Sequence, residues 1–254
     1  MNLIESLERT AARWPQKAAL VEDATVVSYA ELLQRVNAFA EGLRAQQVLP
    51  GQRIGLAFAN SVTYVALTYA LWRCGVVVVP VPTECSEDEI REIIEAMQLQ
   101  AIVTPKPRGE SVSLAPDVFF TRLQPIAPPD NHGLNLAFIR FTSGTTSARK
   151  GVALSHETIQ QRVVSANKAL RITADDTIIW CLPMAHHFLI TIVLYIEVGA
   201  TIVLARHVTA KPFLEAVNRW NGTVLYAAPF HYSMWARDNS GMQIPSVRLA
   251  VSTT

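Results

Sequence analysis

Residues 136–154 read LAFIRFTSGTTSARKGVAL, and the residues directly after them carry a helical pattern. Leu136 to Phe141 is a short apolar run with the look of a buried strand, and Val152 to Leu154 is extended again. Over 156–170, Ile159, Val163, Ala166 and Leu170 recur at i, i+4, i+7 and i+11, the spacing of one helix face. The polar segment between the strands gathers four hydroxyl side chains, Thr142, Ser143, Thr145 and Thr146, around Gly144, with Lys150 and Gly151 behind them. A polyphosphate needs many donors, close backbone approach and a cation. Hydroxyls donate without repelling an anion, glycine lets amides turn towards it, and lysine adds a mobile positive charge. The segment is not a Walker A loop, because Lys150 is preceded by Arg149 and followed by Gly151. On composition alone, a solvated Ser/Thr-rich turn and a phosphate cradle stand as equal readings.

Outward from this segment the chain alternates strand and helix. Upstream, Ser28 followed by Glu31 has the form of a capping box ahead of Leu32, Leu33, Val36, Phe39, Ala40 and Leu43. Arg53 to Ala59 reads as a strand, and Asn60-Ser61 caps a helix from Val62 to about Cys74 that is apolar nearly all round. Val76 to Val79 is the β-branched run of an interior parallel strand. A second capping box, Ser86 to Glu89, precedes Ile90, Ile93, Ile94 and Met97, and Ala101 to Thr104 is a short strand. Residues 105–133 hold six of the 14 prolines and read as an irregular connection with one short strand near Val118 to Phe120.

Downstream come a strand at Thr177 to Cys181, a helix from about His187 to Val198, a glycine stop at Gly199 and a strand at Ala200 to Leu204. A helix at Lys211 to Trp220, a strand at Thr223 to Tyr226, a helix from about Phe230 and a strand from Arg248 complete the pattern. This order predicts an α/β protein with mainly parallel sheets flanked by helices on both faces. In such folds ligands sit beyond the carboxyl ends of strands.

Composition bounds the function. Of 254 residues, 22 are Lys or Arg and 21 are Asp or Glu, a net charge of +1, which speaks against a general nucleic-acid binder. Half the residues are hydrophobic and 17% are charged, which excludes intrinsic disorder. Cys74, Cys85 and Cys181 form no Cys-x-x-Cys pair and read as free thiols of a reducing cytoplasm. No metal-ligand spacing occurs. The N-terminus lacks the basic start and apolar run of a signal peptide. Phe188 to Ala205, FLITIVLYIEVGATIVLA, approaches a membrane span in length, but Glu197 and Gly199 inside it favour a helix followed by a buried strand. Asp175-Asp176 follows Thr173 in Thr-x-x-Asp form and reads as a turn cap rather than as the metal ligands of a kinase-like site.

FTSGTTSARKGV resembles the phosphate-loop signature of the adenylate-forming superfamily, aromatic-Thr-Ser-Gly-Thr-Thr-Gly-x-Pro-Lys-Gly-Val. It departs at Ser147 for glycine and Ala148 for proline. The resemblance runs along the chain in order. It takes in Ser28-Tyr-Ala-Glu-Leu32, Leu49-Pro-Gly-Gln-Arg-Ile-Gly55 with Asn60-Ser61, and Cys74-Gly-Val-Val-Val-Val-Pro80. It continues through Leu182-Pro-Met-Ala-His186, Thr223 to Pro229 and Arg248 to Thr254, although Leu189 stands where a glycine is usual.

The resemblance implies the incomplete N-terminal domain of an acyl- or aryl-CoA synthetase-like ligase, in two lobes of about 51–170 and 1–50 plus 171–254, with the C-terminal domain absent. It implies that a carboxylic acid and ATP with Mg2+ give an acyl-adenylate and pyrophosphate, after which a thiol, coenzyme A or a carrier protein, takes the acyl group. Thr142, Ser143, Gly144, Thr145, Thr146 and Lys150 would hold the β- and γ-phosphates. His186 would stand at the carboxylate, and Phe230, His231 and Met234 would line the acid pocket. Peptide-synthetase domains usually carry an aspartate near the His186 position for the substrate amine, so Pro183-Met-Ala-His186 favours acids over amino acids. The family's aromatic-Gly-x-Thr-Glu and Thr-Gly-Asp motifs do not occur in these residues, and the 254-residue chain is expected to be inactive alone. A non-catalytic nucleotide- or partner-binding remnant is the alternative.

Overall fold

The alternation of strand and helix folds into two sheets, each flanked by helices, in a computed structural model that describes residues 1–123, 130–141 and 151–253. In chain order the elements begin with α1 (Ile4–Arg13), β1 (Ala18–Glu22), β2 (Thr25–Ser28), α2 (Tyr29–Ala45), β3 (Arg53–Leu56), α3 (Val62–Arg73), β4 (Val77–Pro80) and α4 (Glu87–Met97). There follow β5 (Ala101–Thr104), β6 (Ser111–Ala115), β7 (Val118–Arg122), β8 (Leu136–Phe141), β9 (Gly151–Ser155), α5 (His156–Leu170) and β10 (Thr177–Trp180). The last elements are α6 (Met184–His187), a π-helical segment (Phe188–Ile192), α7 (Val193–Val198), β11 (Thr201–Leu204), α8 (Ala210–Arg219), β12 (Val224–Ala227), α9 (Pro229–Trp235) and β13 (Leu249–Ser252).

One unit comprises Met1–Glu5 and Leu33–Arg162. Its seven-stranded sheet has the order β6-β7-β5-β3-β4-β8-β9, with β5, β3, β4 and β8 parallel and the outer strands antiparallel. Val77, Val79, Ile93, Met97, Leu99, Ile102 and Ile139 pack together as its core on one face. Helix α3 is buried nearly all round, as its uniformly apolar sequence requires. Ser61 caps it, accepting from the Tyr64 amide at 3.0 Å, and the Trp72 indole donates to the Ala137 carbonyl at 2.8 Å. The Ser86–Glu89 box forms in both directions at the start of α4. The proline-rich stretch holds more order than its sequence indicates: β6 and β7 make a hairpin added to the edge of β5, where one short strand was expected.

The other unit comprises Ser6–Leu32 and Val163–Thr254. Its six-stranded sheet has the order β13-β12-β10-β11-β1-β2, parallel except for β2. Phe213, Val217, Leu225, Ile179, Val203 and Trp235 centre its core. The expected helix from His187 to Val198 exists but is not uniform: α6, the π segment and α7 follow one another. Gly199 ends α7 in the left-handed region, φ +80°, and a Cβ there would stand 2.4 Å from the Trp14 ring. Among the described residues, no helix is long and apolar enough to cross a membrane.

The Thr173–Asp176 turn forms and does more than cap. The Asp176 carboxylate, 3% exposed, accepts from the Thr173 amide, the Thr223 hydroxyl at 2.7 Å and Arg248 Nε at 2.8 Å, tying the starts of β10, β12 and β13 together. Burial alone would push this carboxyl up. The hydrogen bonds from Arg248, Thr223 and the Thr173 amide outweigh burial and hold it below the usual carboxylate range.

Candidate functional site

In the seven-stranded unit, β8 lies parallel to β4 through Val78 and Phe138, and antiparallel to β9 with Phe141 opposite Gly151. The hydroxyl-rich segment therefore joins the last paired positions of two adjacent strands. Gly151 is required there by packing: a Cβ would meet Ile139 Cγ2 at 2.7 Å and Met97 Sδ at 2.9 Å. Thr142, Ser143, Gly144, Thr145, Thr146 and Lys150 themselves lie outside the described residues.

In the six-stranded unit, the expected acid-side residues follow two neighbouring parallel strands. His186 lies in α6, after β10, and is half-buried; its amide donates to the Pro183 carbonyl at 3.1 Å. Two features fix the connection before it. The Trp180 indole donates to the Leu182 carbonyl at 2.7 Å, and its ring stacks on Tyr226 of β12 at 5.4 Å and 5°. His187 sets its ring edge-on to the same Tyr226 at 6.3 Å. The Thr191 hydroxyl of the π segment donates to the His187 carbonyl four residues back, a side-chain bond of the kind that bends helices.

Phe230, His231 and Met234 lie on α9, after β12, in three different environments. Phe230 is 70% exposed. His231 closes the first turn of α9: its Nδ1 accepts from the Ala228 amide at 3.2 Å, and its own amide donates to the Ala228 carbonyl. Burial pushes its imidazole pKa below the usual value. Met234 packs against the core cluster under the sheet. Helix α9 is pinned by Tyr232, whose hydroxyl lies 2.9 Å from the Val251 carbonyl and 3.2 Å from that of Leu225, and by Trp235, which stacks on Phe213 and donates to the Val208 carbonyl.

The structure thus brings His186 and the start of α9 to the carboxyl edge of one sheet, after β10 and β12. Sequence reasoning missed Trp180, Tyr226 and Tyr232, the aromatic side chains that set both loops. The sequence places Trp180 and Tyr226 each at or near the end of a strand, but their register pairing comes from the sheet. Residues 182–196 and 228–236, which follow these strands, contain no Asp or Glu. Among the described residues there is no group of three His, Cys, Asp or Glu side chains placed to hold a metal ion.

Comparison with known proteins identifies the family and the fold. A family model described as AMP-binding enzyme matches residues 7–253. The chain is 30% identical over 194 residues to N-(5-amino-5-carboxypentanoyl)-L-cysteinyl-D-valine synthase of Penicillium rubens, covering 70% of this chain and 5% of the synthase. It is 25% identical over 242 residues to the long-chain-fatty-acid–CoA ligase FadD13 of Mycobacterium tuberculosis, covering 87% of this chain and 47% of the ligase. The chain therefore spans less than half the length of either relative. The crystal structure of MatB from Rhodopseudomonas palustris superposes with a TM-score of 0.84 over 100% of this chain and 55% of that one, at 24% identity. A long-chain-fatty-acid-CoA ligase from Archaeoglobus fulgidus gives a TM-score of 0.84 over 99% of this chain and 57% of that one, at 20% identity. The fold is that of the N-terminal domains of such enzymes. The chain belongs to the AMP-binding enzyme family, a family of ATP-dependent acid-activating ligases that takes in both acyl-CoA ligases and peptide synthetases.

Proposed function

We propose that these residues form the phosphate-holding and acid-holding part of a ligase for a carboxylic acid that carries no α-ammonium group. The observation that carries this reading is that residues 182–196 and 228–236, directly after β10 and β12, hold no Asp or Glu, the next along each segment being Glu197 and Asp238. An amino-acid substrate brings a cation, and a cation taken out of water needs a fixed counter-charge. What those residues offer instead includes His186, His187, Phe230 and His231.

In the first step a carboxylate oxygen bonds to the α-phosphorus of ATP while the bond to the bridging oxygen breaks and pyrophosphate leaves. In the second a thiol sulfur, of coenzyme A or a carrier protein, attacks the acyl carbon and AMP leaves. Thr142, Ser143, Gly144, Thr145, Thr146 and Lys150 hold the β- and γ-phosphates and neutralise the charge that builds on the leaving group. His186 orients the carboxylate, and Phe230 and His231 bound the acid side. Mg2+ would supply further charge neutralisation on the phosphates. The three free thiols suit a reducing cytoplasm.

Non-reacting adenylate mimics test the acid class without requiring turnover. Calorimetry with N-acylsulfamoyl adenosines should give binding by octanoyl or benzoyl forms. Aminoacyl forms should bind at least about tenfold more weakly, the cost of one unpaired buried donor group. Tighter binding of the aminoacyl forms would refute the acid reading. Lys150→Ala should abolish binding of ATP. A second reading is nucleotide or partner binding without turnover, since the aromatic-Gly-x-Thr-Glu and Thr-Gly-Asp motifs do not occur in these residues. The 254-residue chain alone is expected to show no acid-dependent ATP–pyrophosphate exchange, and exchange by the purified chain would rule that second reading out.

A further inference from the structure

The six-stranded unit carries a second surface feature, which the proposed ligase chemistry does not use. Two hollows of about 460 and 310 Å³ lie side by side and share Glu197 and Val198 at the end of α7 as lining residues. Helix α1 bounds the larger with Arg9, Thr10, Arg13 and Trp14. Helix α5 bounds the smaller with Val163, Val164, Asn167 and Lys168. Arg9 and Arg13 are four apart on one helix and so share a face. The Arg13 guanidinium lies 4.3 Å from the centre of the Trp14 ring, and Trp14 in turn lies flat against Gly199, which has no Cβ to displace it. The Thr10 hydroxyl donates to the Glu197 carbonyl at 3.1 Å, fixing α1 to the end of α7. On the other side Val164 is 49% exposed on a helix whose neighbouring Val163 is buried. The lining side chains are thus three cations to one carboxylate, around an apolar floor of Val164, Val198 and Trp14.

We propose that this surface docks an acidic amphipathic helix of a partner protein. Two adjoining hollows bounded by helices, with apolar side chains between the cations, fit a helix laid across them with apolar residues at i, i+3 and i+4. Arg9, Arg13 and Lys168, all exposed, select carboxylates flanking that apolar stripe. Opposite charge sets the partner's orientation, and the buried aliphatic stripe holds it.

The test uses a fluorescein-labelled helical peptide of about 18 residues, a Leu stripe flanked by Glu, and a twin with every Glu replaced by Lys. Fluorescence anisotropy with the purified chain should show the acidic peptide binding at least about tenfold more tightly than its twin, with affinity falling as salt is raised. Arg13→Glu and, separately, Lys168→Glu on the other helix should each weaken it about tenfold. Val164→Ser should weaken it without changing the salt dependence. Unchanged melting temperatures show that each variant folds. Equal binding of the twins, undiminished binding by both charge variants, or no binding by the wild type overturns the proposal. Co-sedimentation with phosphatidylglycerol vesicles that is lost in Arg13→Glu, with no preference for the acidic peptide, also overturns it and assigns the surface to an anionic membrane instead.

Discussion

His156 should make the seven-stranded unit acid-sensitive, and the size of the effect follows from its surroundings. The residue is 1% exposed, its ring stands edge-on to Trp72 at 5.8 Å, and its Nδ1 accepts the Leu3 amide proton at 3.1 Å. Burial is the main cause that lowers its pKa from 6.5 to about 4, although the nearby Glu157 and Glu5 pull the other way. A folded-state value below the unfolded one means that the unfolded chain binds the proton first. The stabilisation is therefore complete above about pH 6.5 and drains away as pH falls towards 4. At 1.36 kcal/mol per unit, the loss relative to neutral pH is about 2 kcal/mol at pH 5 and about 3 kcal/mol at pH 4. Carboxylates titrate in the same range, so the test is a difference. His156→Asn keeps an acceptor for the Leu3 amide and removes the titration. Unfolding free energies of the two proteins from urea titration should differ at pH 7.5 and converge by about 2 kcal/mol at pH 5. Hydrogen exchange at the Leu3 amide should accelerate below pH 6 in the wild type alone, beyond the intrinsic pH dependence. If both proteins lose stability in parallel from pH 7.5 to pH 5, the assignment of a neutral, proton-accepting His156 is wrong.

Asp176→Ala removes the carboxylate that joins β10, β12 and β13 and should cost about 3 kcal/mol in chemical denaturation. Arg248→Ala should cost less, about 1–2 kcal/mol, because Arg248 is 42% exposed and water screens the pair. With its pKa depressed, Asp176 contributes above the ordinary carboxylate value, and that contribution disappears as pH falls through its lower folded value. Gly199→Ala should cost about 2–4 kcal/mol, since it combines a positive φ with a 2.4 Å clash against Trp14, and a shift in tryptophan fluorescence should report the displaced ring. Ser86→Ala, which opens the capping box of α4, should lower the melting temperature by about 2–4 °C, equivalent to about 1 kcal/mol, while Ser86→Asp should retain most of it.

The parts of this chain that a reader of the sequence recovers are those whose causes are local. Ser86 and Glu89 stand three apart and bond to each other, so the start of α4 is written within four residues. Ile159, Val163 and Leu170 mark a helix whose bounds, His156–Leu170, match the expected 156–170. What escapes such reading depends on distant partners. The π segment hides inside a continuous apolar run, and the bond that accompanies it, from Thr191 to His187, leaves no periodic trace. Strand β6 has exposed and half-exposed residues throughout, so it lacks the alternation that marks a half-buried strand and exists by pairing with β7. Asp176 looks like a turn cap until β13 delivers Arg248 to it from 72 residues away. The same holds at the candidate site. Trp180 and Tyr226 meet because β10 and β12 are neighbours in the order β13-β12-β10-β11, a fact of topology that no window along the chain contains. Stacking at those strand ends holds the Leu182 carbonyl and the ring of His187, and so fixes the approach to His186. Substituting Tyr226 should therefore disturb the His186 loop more than a direct change at exposed Phe230 disturbs α9, which Tyr232 and Trp235 hold from its other face.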